Sequence, residues 1–78
     1  MKRYELTPTD GRKSFYGKCY VIVAEDGSET LYSYDTAIVK RETDGTFKRI
    51  WSGWSATTGR HIKAFNGMNK AEFTALAF

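Results

Sequence analysis

The sequence has few of the residues that build covalent or metal-held sites. Its 78 residues include one cysteine, one histidine and one proline. A single thiol, Cys19, forms no disulfide within the chain and gives too few ligands for a multi-cysteine zinc site. Since Cys19 lies in an apolar run, we expect it to be buried and unreactive. We therefore expect neither a metal nor any other cofactor.

Motifs that bind nucleotides, calcium or lipid are also missing. No glycine-rich phosphate-binding loop is present, and the Asp-Gly pairs are too dispersed for a calcium loop. No apolar run approaches the roughly 18 residues that a membrane span needs. The opening residues Met1–Glu5 lack the apolar core of a signal peptide. We therefore expect a cytoplasmic protein with no membrane partner.

Positive charge is present in excess and is unevenly spread. The chain has 12 Lys and Arg against 9 Asp and Glu, a net charge of +3. The acidic residues dominate the middle of the chain, whereas residues 46–78 carry five bases and one acid, or +4. Such a distribution permits contact with nucleic acid, and it equally suits a protein whose charge only keeps it soluble.

Apolar periodicity predicts strands in the first two thirds of the chain. Alternating and continuous apolar stretches, separated by Asp-Gly pairs, are typical of short strands joined by hairpins. Asp44-Gly45 is the clearest such pair and favours a type I′ turn. Pro8 ends the first strand, because proline donates no hydrogen bond to a ladder. The predicted strands are Lys2–Thr7, Phe15–Ala24, Thr30–Tyr34, Ala37–Glu42 and Phe47–Trp51.

The apolar spacing becomes helical in the last third. Ser55, Thr57 and Thr58 are all suitable N-caps for a helix that extends to about Asn66. Gly59 in its first turn costs up to about 1 kcal/mol relative to alanine. Asn66-Gly67 is typical of a helix C-cap, and Asn69 with Glu72 predicts a capping box for a second helix.

Strands followed by helices indicate an α+β fold. We expect a four- to five-stranded antiparallel meander followed by two short C-terminal helices packed on one face of the sheet. At this length, residues 1–78 are predicted to form a single small domain.

Two segments of the sequence resemble a known group of proteins. They are Leu31-Tyr-Ser-Tyr-Asp-Thr-Ala-Ile38 and Ser55-Ala-Thr-Thr-Gly-Arg-His-Ile62, the second followed by Phe65. The pattern is similar to that of small uncharacterised proteins of gut and related Gram-positive bacteria, often encoded in phages and conjugative elements. The resemblance covers about half of the chain. It implies a mobile-element setting and brings no established activity.

The densest polar cluster precedes the first predicted helix. Hydroxyls, a guanidinium and the N–H groups of a helix start suit a phosphate or carboxylate, and the same hydroxyls suit helix capping. Two tryptophans, on either side of Ser52-Gly53, come just before the cluster, and tryptophan is enriched at protein interfaces. The residues predicted to bind a partner or an anion are Trp51, Trp54, Ser55, Thr57, Thr58, Arg60 and His61.

Catalysis has little support in the sequence. His61 is a possible general base, but it needs a nucleophile or a carboxylate beside it. Cys19 and Asp35 qualify by residue type only, since nothing in their spacing places them near His61. We therefore expect no enzymatic activity.

The favoured interpretation is a non-enzymatic interaction protein with an unidentified protein partner, and the alternative is weak, salt-sensitive binding of nucleic acid. In the alternative, bases stack on exposed rings while cations follow the phosphate backbone. We expect a monomer or a weak homodimer, because an exposed edge strand such as Lys2–Thr7 can pair with another copy. The cations predicted for the nucleic-acid alternative are Lys48, Arg49, Arg60 and Lys63. The aromatic rings that could stack with bases in this alternative are Tyr16, Tyr20, Tyr32, Tyr34, Trp51 and Trp54.

Overall fold

The computed structural model describes residues 2–6 and 17–78. Within these ranges, five antiparallel strands form one open sheet, and two helices follow. The strand order equals the sequence order, so each connection joins neighbouring strands. The predicted α+β class and meander are confirmed. The elements are β1 (Lys2–Glu5), β2 (Cys19–Val23), β3 (Glu29–Ser33), β4 (Thr36–Arg41), β5 (Phe47–Arg49), α1 (Ala56–Asn66) and α2 (Lys70–Thr74).

Most strand boundaries differ from the prediction by one or two residues. The exception is β2: the predicted strand included Gly17 and Lys18, but β2 begins at Cys19, because Gly17 lies in a turn with a φ of 76°. The predicted fifth strand extended to Trp51, but β5 ends at Arg49. The reason is that Ile50 and Trp51 both donate their N–H to the carbonyl of Ile38, which breaks the alternation of the ladder. The predictions for Pro8, for the strand start at residues 15–16 and for the Tyr16 ring lie outside the described residues.

The Asp44-Gly45 hairpin is confirmed, but its predicted turn type is wrong. Only Gly45 has a positive φ, of 89°, and its N–H donates to the Glu42 carbonyl at 2.9 Å. This is a three-residue loop that ends in a left-handed glycine. Both residues of the turn at Tyr34 and Asp35 have positive φ, 50° and 68°. The type I′ geometry therefore occurs at a turn without glycine.

The helices cover one face of the sheet. Alternate residues of each strand point to this face because side chains in a strand have a period of two. The register shifts between Leu31 and Tyr32, which places Val39 opposite Leu31 and Ala37 opposite Tyr32. The core consists of Cys19, Val21, Leu31, Ile38, Val39, Ile62, Phe65 and Phe73.

The cap signals near the helices are confirmed. Ser55 is the N-cap of α1, and its hydroxyl accepts a hydrogen bond from the N–H of Thr58 at 3.1 Å. Gly67 ends α1 with a φ of 78°. Asn69 and Glu72 form the predicted capping box of α2, each side chain bonding the backbone N–H of the other.

Candidate functional site

Arg49 fixes the segment that carries both tryptophans. Its side chain points to the helix side of the sheet, where Nε donates to the Trp51 carbonyl at 2.9 Å and Nη2 donates to the Ser52 carbonyl at 2.7 Å. Its backbone N–H donates to the Ala77 carbonyl at 2.9 Å, and Nη1 reaches the Thr74 carbonyl. One guanidinium thus joins the end of β5 to the C-terminal residues.

Both tryptophans are half-buried against glycines. A Cβ on Gly59 would lie 2.5 Å from Cζ2 of Trp54, and a Cβ on Gly53 would lie 2.7 Å from Cζ2 of Trp51. Trp54 also packs on Phe73, with ring centroids 5.9 Å apart. The two indoles are therefore partly structural.

Two exposed apolar side chains belong to the segments that Arg49 joins, Ile50 directly before Trp51 and Phe78 at the Arg49 guanidinium. Ile50 is 44% exposed, and Phe78 is 69% exposed with its ring 5.2 Å from the Arg49 guanidinium. Exposed apolar groups clustered around tryptophan mark binding surfaces more often than scattered ones. We call the surface formed by Ile50, Trp51, Trp54 and Phe78 around Arg49 the tryptophan edge.

The predicted polar cluster is divided by the fold. Ser55 is exposed and caps α1, and Thr57 and Arg60 are half-buried. Thr58 and His61, in contrast, are buried under the sheet. The structure therefore places these polar residues at different depths, and they do not line one accessible site.

Ser33 is the buried partner of His61. Its hydroxyl lies 2.8 Å from Nδ1 of His61 and 3.3 Å from the Thr58 hydroxyl. Burial, and secondly the positive charge of Arg60, lower the pKa of His61. Ser33 and His61 are 3% and 1% exposed, so no substrate reaches this pair as it stands. The contact joins the two segments on which the sequence resemblance depends.

The turn between β3 and β4 presents an exposed tyrosine. Tyr34 is 54% exposed, its ring lies 5.3 Å from Nζ of Lys18, and the His61 ring lies below it at 5.9 Å. The Tyr20 hydroxyl donates to Asp35 at 2.7 Å, which raises the pKa of Tyr20. The turn is thereby tied to both faces of the sheet.

The four cations of the nucleic-acid alternative do not share one surface. Lys48 pairs with Lys40 across β4 and β5 and points to the face without helices, whereas Lys63 is exposed on α1. Arg60 is on α1 as well, and the Arg49 donors already bond backbone carbonyls. Any nucleic acid that contacts Lys48 and Lys63 together has to reach around the sheet.

Basic and aromatic side chains do meet on the face without helices, which we call the open face. The Tyr20 and Tyr32 rings stack with centroids 5.2 Å apart and planes 1° apart. The Arg3 guanidinium covers the other side of Tyr20 at 3.9 Å. Both sides of the Tyr20 ring are therefore occupied.

Sequence reasoning missed Ile50, Phe78 and Ser33. The exposure of Ile50 has no local signal, since the strand alternation ends where Ile50 and Trp51 both bond the Ile38 carbonyl. The pairing of Ser33 with His61 has none, because 28 residues separate them. Within residues 2–6 and 17–78, no group of three or more His, Cys, Asp or Glu side chains is placed to hold a metal. No helix in these ranges is long and apolar enough to cross a membrane.

Comparison with known proteins gives a family and no activity. Residues 4–75 match a family described as "Family of unknown function (DUF8033)". No curated protein and no solved structure matches the chain.

Proposed function

The chain belongs to this family of unknown function, and we propose that it is a non-enzymatic interaction protein whose tryptophan edge binds a protein partner. The family description supplies no partner, so the proposal depends on the surface of this chain. A mobile-element setting, implied by the resemblance, stays part of the proposal, and the genes that flank its coding sequence test it.

The observation that carries the proposal is that Ile50, directly before Trp51 in the chain, and Phe78, at the Arg49 guanidinium, are exposed while both indoles are half-buried. A centre of well-packed aromatic rings with accessible apolar neighbours is the arrangement that concentrates binding energy at protein interfaces. Arg49 makes this surface rigid before binding, because its bonds to the Trp51 and Ser52 carbonyls hold the segment in one conformation. Little conformational entropy is then lost on association.

Charge indicates the chemistry of the partner. Residues 46–78 carry +4, and Lys70 is exposed on α2, the helix that packs under Trp54 through Phe73. A partner that offers an apolar anchor surrounded by carboxylates complements this surface.

The buried position of the imidazole supports a role without catalysis. A general base has to reach the proton that it removes, whereas His61 is enclosed by Ser33 and Thr58 under the sheet. Cys19 is fully buried, and burial raises its pKa to about 12, so little nucleophilic thiolate is present near neutral pH.

Site-specific photo-crosslinking tests the proposal in the cell that naturally makes the protein. Benzoylphenylalanine is placed at position 78, and the matched control carries it at position 4, on the opposite edge of the sheet. Tyr4 serves as the control because it is also an exposed aromatic side chain, 41% against 69% for Phe78. We expect one protein to be crosslinked from position 78 and not from position 4. Equal products from both positions, or none, contradict the proposal.

Titration with the crosslinked protein then measures the contribution of the edge. Ile50→Glu is expected to weaken binding at least tenfold, since it places a charge in an apolar contact and repels an acidic partner. Tyr4→Ser is expected to leave binding unchanged. Trp54→Ala is unsuitable as the first variant, because loss of packing on Phe73 confuses folding with binding.

Nucleic-acid binding is the second candidate, and the open face is the observation that favours it. Arg3, Lys40 and Lys48 lie on this face with the Tyr20–Tyr32 stack. It ranks second because Tyr20 is already covered by Arg3 and Tyr32 and offers no free ring face for a base. Anisotropy of a labelled single-stranded oligonucleotide, measured against salt, tests it. Binding that weakens linearly on a log–log plot and is lost in Lys48→Glu favours it, and no binding at low salt excludes it.

A further inference from the structure

Among the strands that the structure describes, β1 lies at the edge of the sheet and has a neighbour, β2, on one side only. The N–H of Leu6 donates to the Cys19 carbonyl at 3.0 Å. In this register, Lys2 and Tyr4 also point their backbone N–H and C=O groups toward β2. Backbone groups alternate along a strand, and those of Arg3 and Glu5 therefore point away from the sheet. No strand or helix of residues 2–6 and 17–78 lies beside them. The β5 edge differs, because Ala77 accepts the outward N–H of Arg49.

We propose that β1 pairs with β1 of a second copy of this chain, antiparallel and in a register centred on Tyr4. In that register Arg3 lies opposite Glu5 of the second copy, and Glu5 lies opposite Arg3. Each of these pairs exchanges two backbone hydrogen bonds, because Arg3 and Glu5 carry the outward N–H and C=O groups. The two sheets then form one continuous ten-stranded sheet.

The side chains of β1 suit this register. Arg3 and Glu5 carry opposite charges and project on the same open face, so a two-fold axis through Tyr4 brings each guanidinium to a carboxylate. The Arg3 guanidinium carbon lies 3.9 Å from the centre of the Tyr20 ring, and a guanidinium over a ring face can bond a carboxylate at the same time. The Tyr4 hydroxyl reaches across β2 to Glu29 at 2.7 Å, so its ring does not cover the strand edge.

A second copy fits this edge better than an unrelated strand does. The order Arg-Tyr-Glu is complementary to itself in an antiparallel pairing, and like charges meet when the register slips by two residues. The pairing strand is only four residues long. Interfaces below the standard size are generally weak, so we infer association at high protein concentration.

Sedimentation equilibrium of the purified full chain tests the pairing, over concentrations up to about 1 mM because small interfaces bind weakly. The wild-type mass is expected to rise from 8.9 kDa toward twice that value. Arg3→Glu is expected to remain at 8.9 kDa, because two like-charged pairs then face each other. The double variant Arg3→Glu/Glu5→Arg restores both ion pairs and is expected to restore the higher mass.

The controls separate pairing from general effects of charge and folding. Lys48→Glu changes the net charge by the same amount as Arg3→Glu. Its site is on β5, which pairs with β4 and not with β1, so this variant is expected to dimerise like the wild type. Circular dichroism confirms that each variant is folded. A wild-type mass that stays at 8.9 kDa overturns the proposal. Equal dimerisation of Arg3→Glu, or failure of the folded double variant to recover, also overturns it.

Amide hydrogen exchange tests the register without any substitution. The amides of Arg3 and Glu5 are expected to exchange rapidly in dilute protein and to become protected as concentration rises. The amides of Tyr4 and Leu6 bond to β2 and are expected to be protected at both concentrations. Dimerisation without new protection of Arg3 and Glu5 overturns the proposal and indicates another surface, such as the tryptophan edge.

Discussion

At the scale of single residues, the tryptophan edge depends on positions where a side chain is absent. Gly59 lies in the first turn of α1, where alanine is normally the better helix former. The Trp54 ring, however, occupies the space of a Cβ at this position. Glycine is therefore the residue that lets the indole approach the helix backbone, and its low helix propensity is offset by that packing.

We predict that Gly59→Ala destabilises the protein, although intrinsic helix propensity alone favours it by about 1 kcal/mol. A Cβ at 2.5 Å from Trp54 has to displace the indole from Phe73. Overpacking of this kind typically costs about 1–3 kcal/mol. Urea unfolding measures the change, and tryptophan fluorescence reports the displaced ring.

The control is the same substitution in a Trp54→Leu background. Without the indole, Gly59→Ala is expected to become stabilising by several tenths of a kcal/mol, up to about 1 kcal/mol. If Gly59→Ala destabilises both backgrounds equally, the contact with Trp54 does not explain the glycine.

At the scale of elements, signals within a few residues of sequence predict the fold well. Contacts between residues far apart in the chain are not predicted. Asn66-Gly67 and the Asn69/Glu72 capping box act within one turn of helix, and both were predicted from sequence. The structural role of Arg49 was not predicted, because the carbonyls that accept its hydrogen bonds include those of Thr74 and Ala77, far along the chain. The sequence predicted a cation for nucleic acid where the fold uses a guanidinium to fix a segment.

The β3–β4 turn is a second place where long-range contacts, and not a local sequence signal, decide the structure. Tyr34-Asp35 has none of the glycine that a type I′ turn favours, so Tyr34 is predicted at the end of a strand and no turn of this type is predicted. The strand register and the bonds of Tyr20 to Asp35 impose positive φ on both residues. A bulky residue in the left-handed region costs about 1–2 kcal/mol, and this strain is stored in an exposed turn beside His61.

We predict that Tyr34→Asn raises the free energy of unfolding by about 0.5–1 kcal/mol, because asparagine tolerates positive φ better than tyrosine. The loss of the Lys18 contact with the ring reduces the gain, since an exposed cation–π pair contributes only about 0.5–1 kcal/mol. Thermal unfolding measures the change. Asp35→Gly is the contrasting variant: it also relieves strain, but it removes the acceptor of Tyr20. A loss of stability in Tyr34→Asn argues against stored strain.

At the scale of the whole molecule, the meander separates two surfaces. β1 and β5 lie at opposite edges of the sheet, about 19 Å apart for four strand spacings. Pairing through β1 therefore leaves the tryptophan edge of each chain free. The dimer then has one tryptophan edge at each end of the extended sheet. A dimer of this form is bivalent, and bivalence strengthens binding to a partner that itself presents two sites.

The layers of the molecule are joined by a titratable contact. His61 of α1 meets Ser33 of β3 in the buried interior, and its pKa is lowered from the ordinary value of 6.5. The neutral imidazole is therefore preferred in the folded state, whereas the unfolded chain binds a proton below about pH 6.5. Stability from this group is fully present above pH 6.5 and is lost as the pH falls toward the folded-state pKa.

We predict that the free energy of unfolding decreases as the pH falls from about 7 to about 5, and that His61→Gln removes most of this slope. Each unit by which folding lowers the pKa corresponds to about 1.4 kcal/mol of stability that disappears below both pKa values. The carboxylates with lowered pKa, such as Glu29, lose their contribution only below about pH 4.5, so this window isolates the histidine. Urea unfolding at intervals of pH measures both slopes. An equal slope in the wild type and in a folded His61→Gln variant contradicts the assignment to this contact.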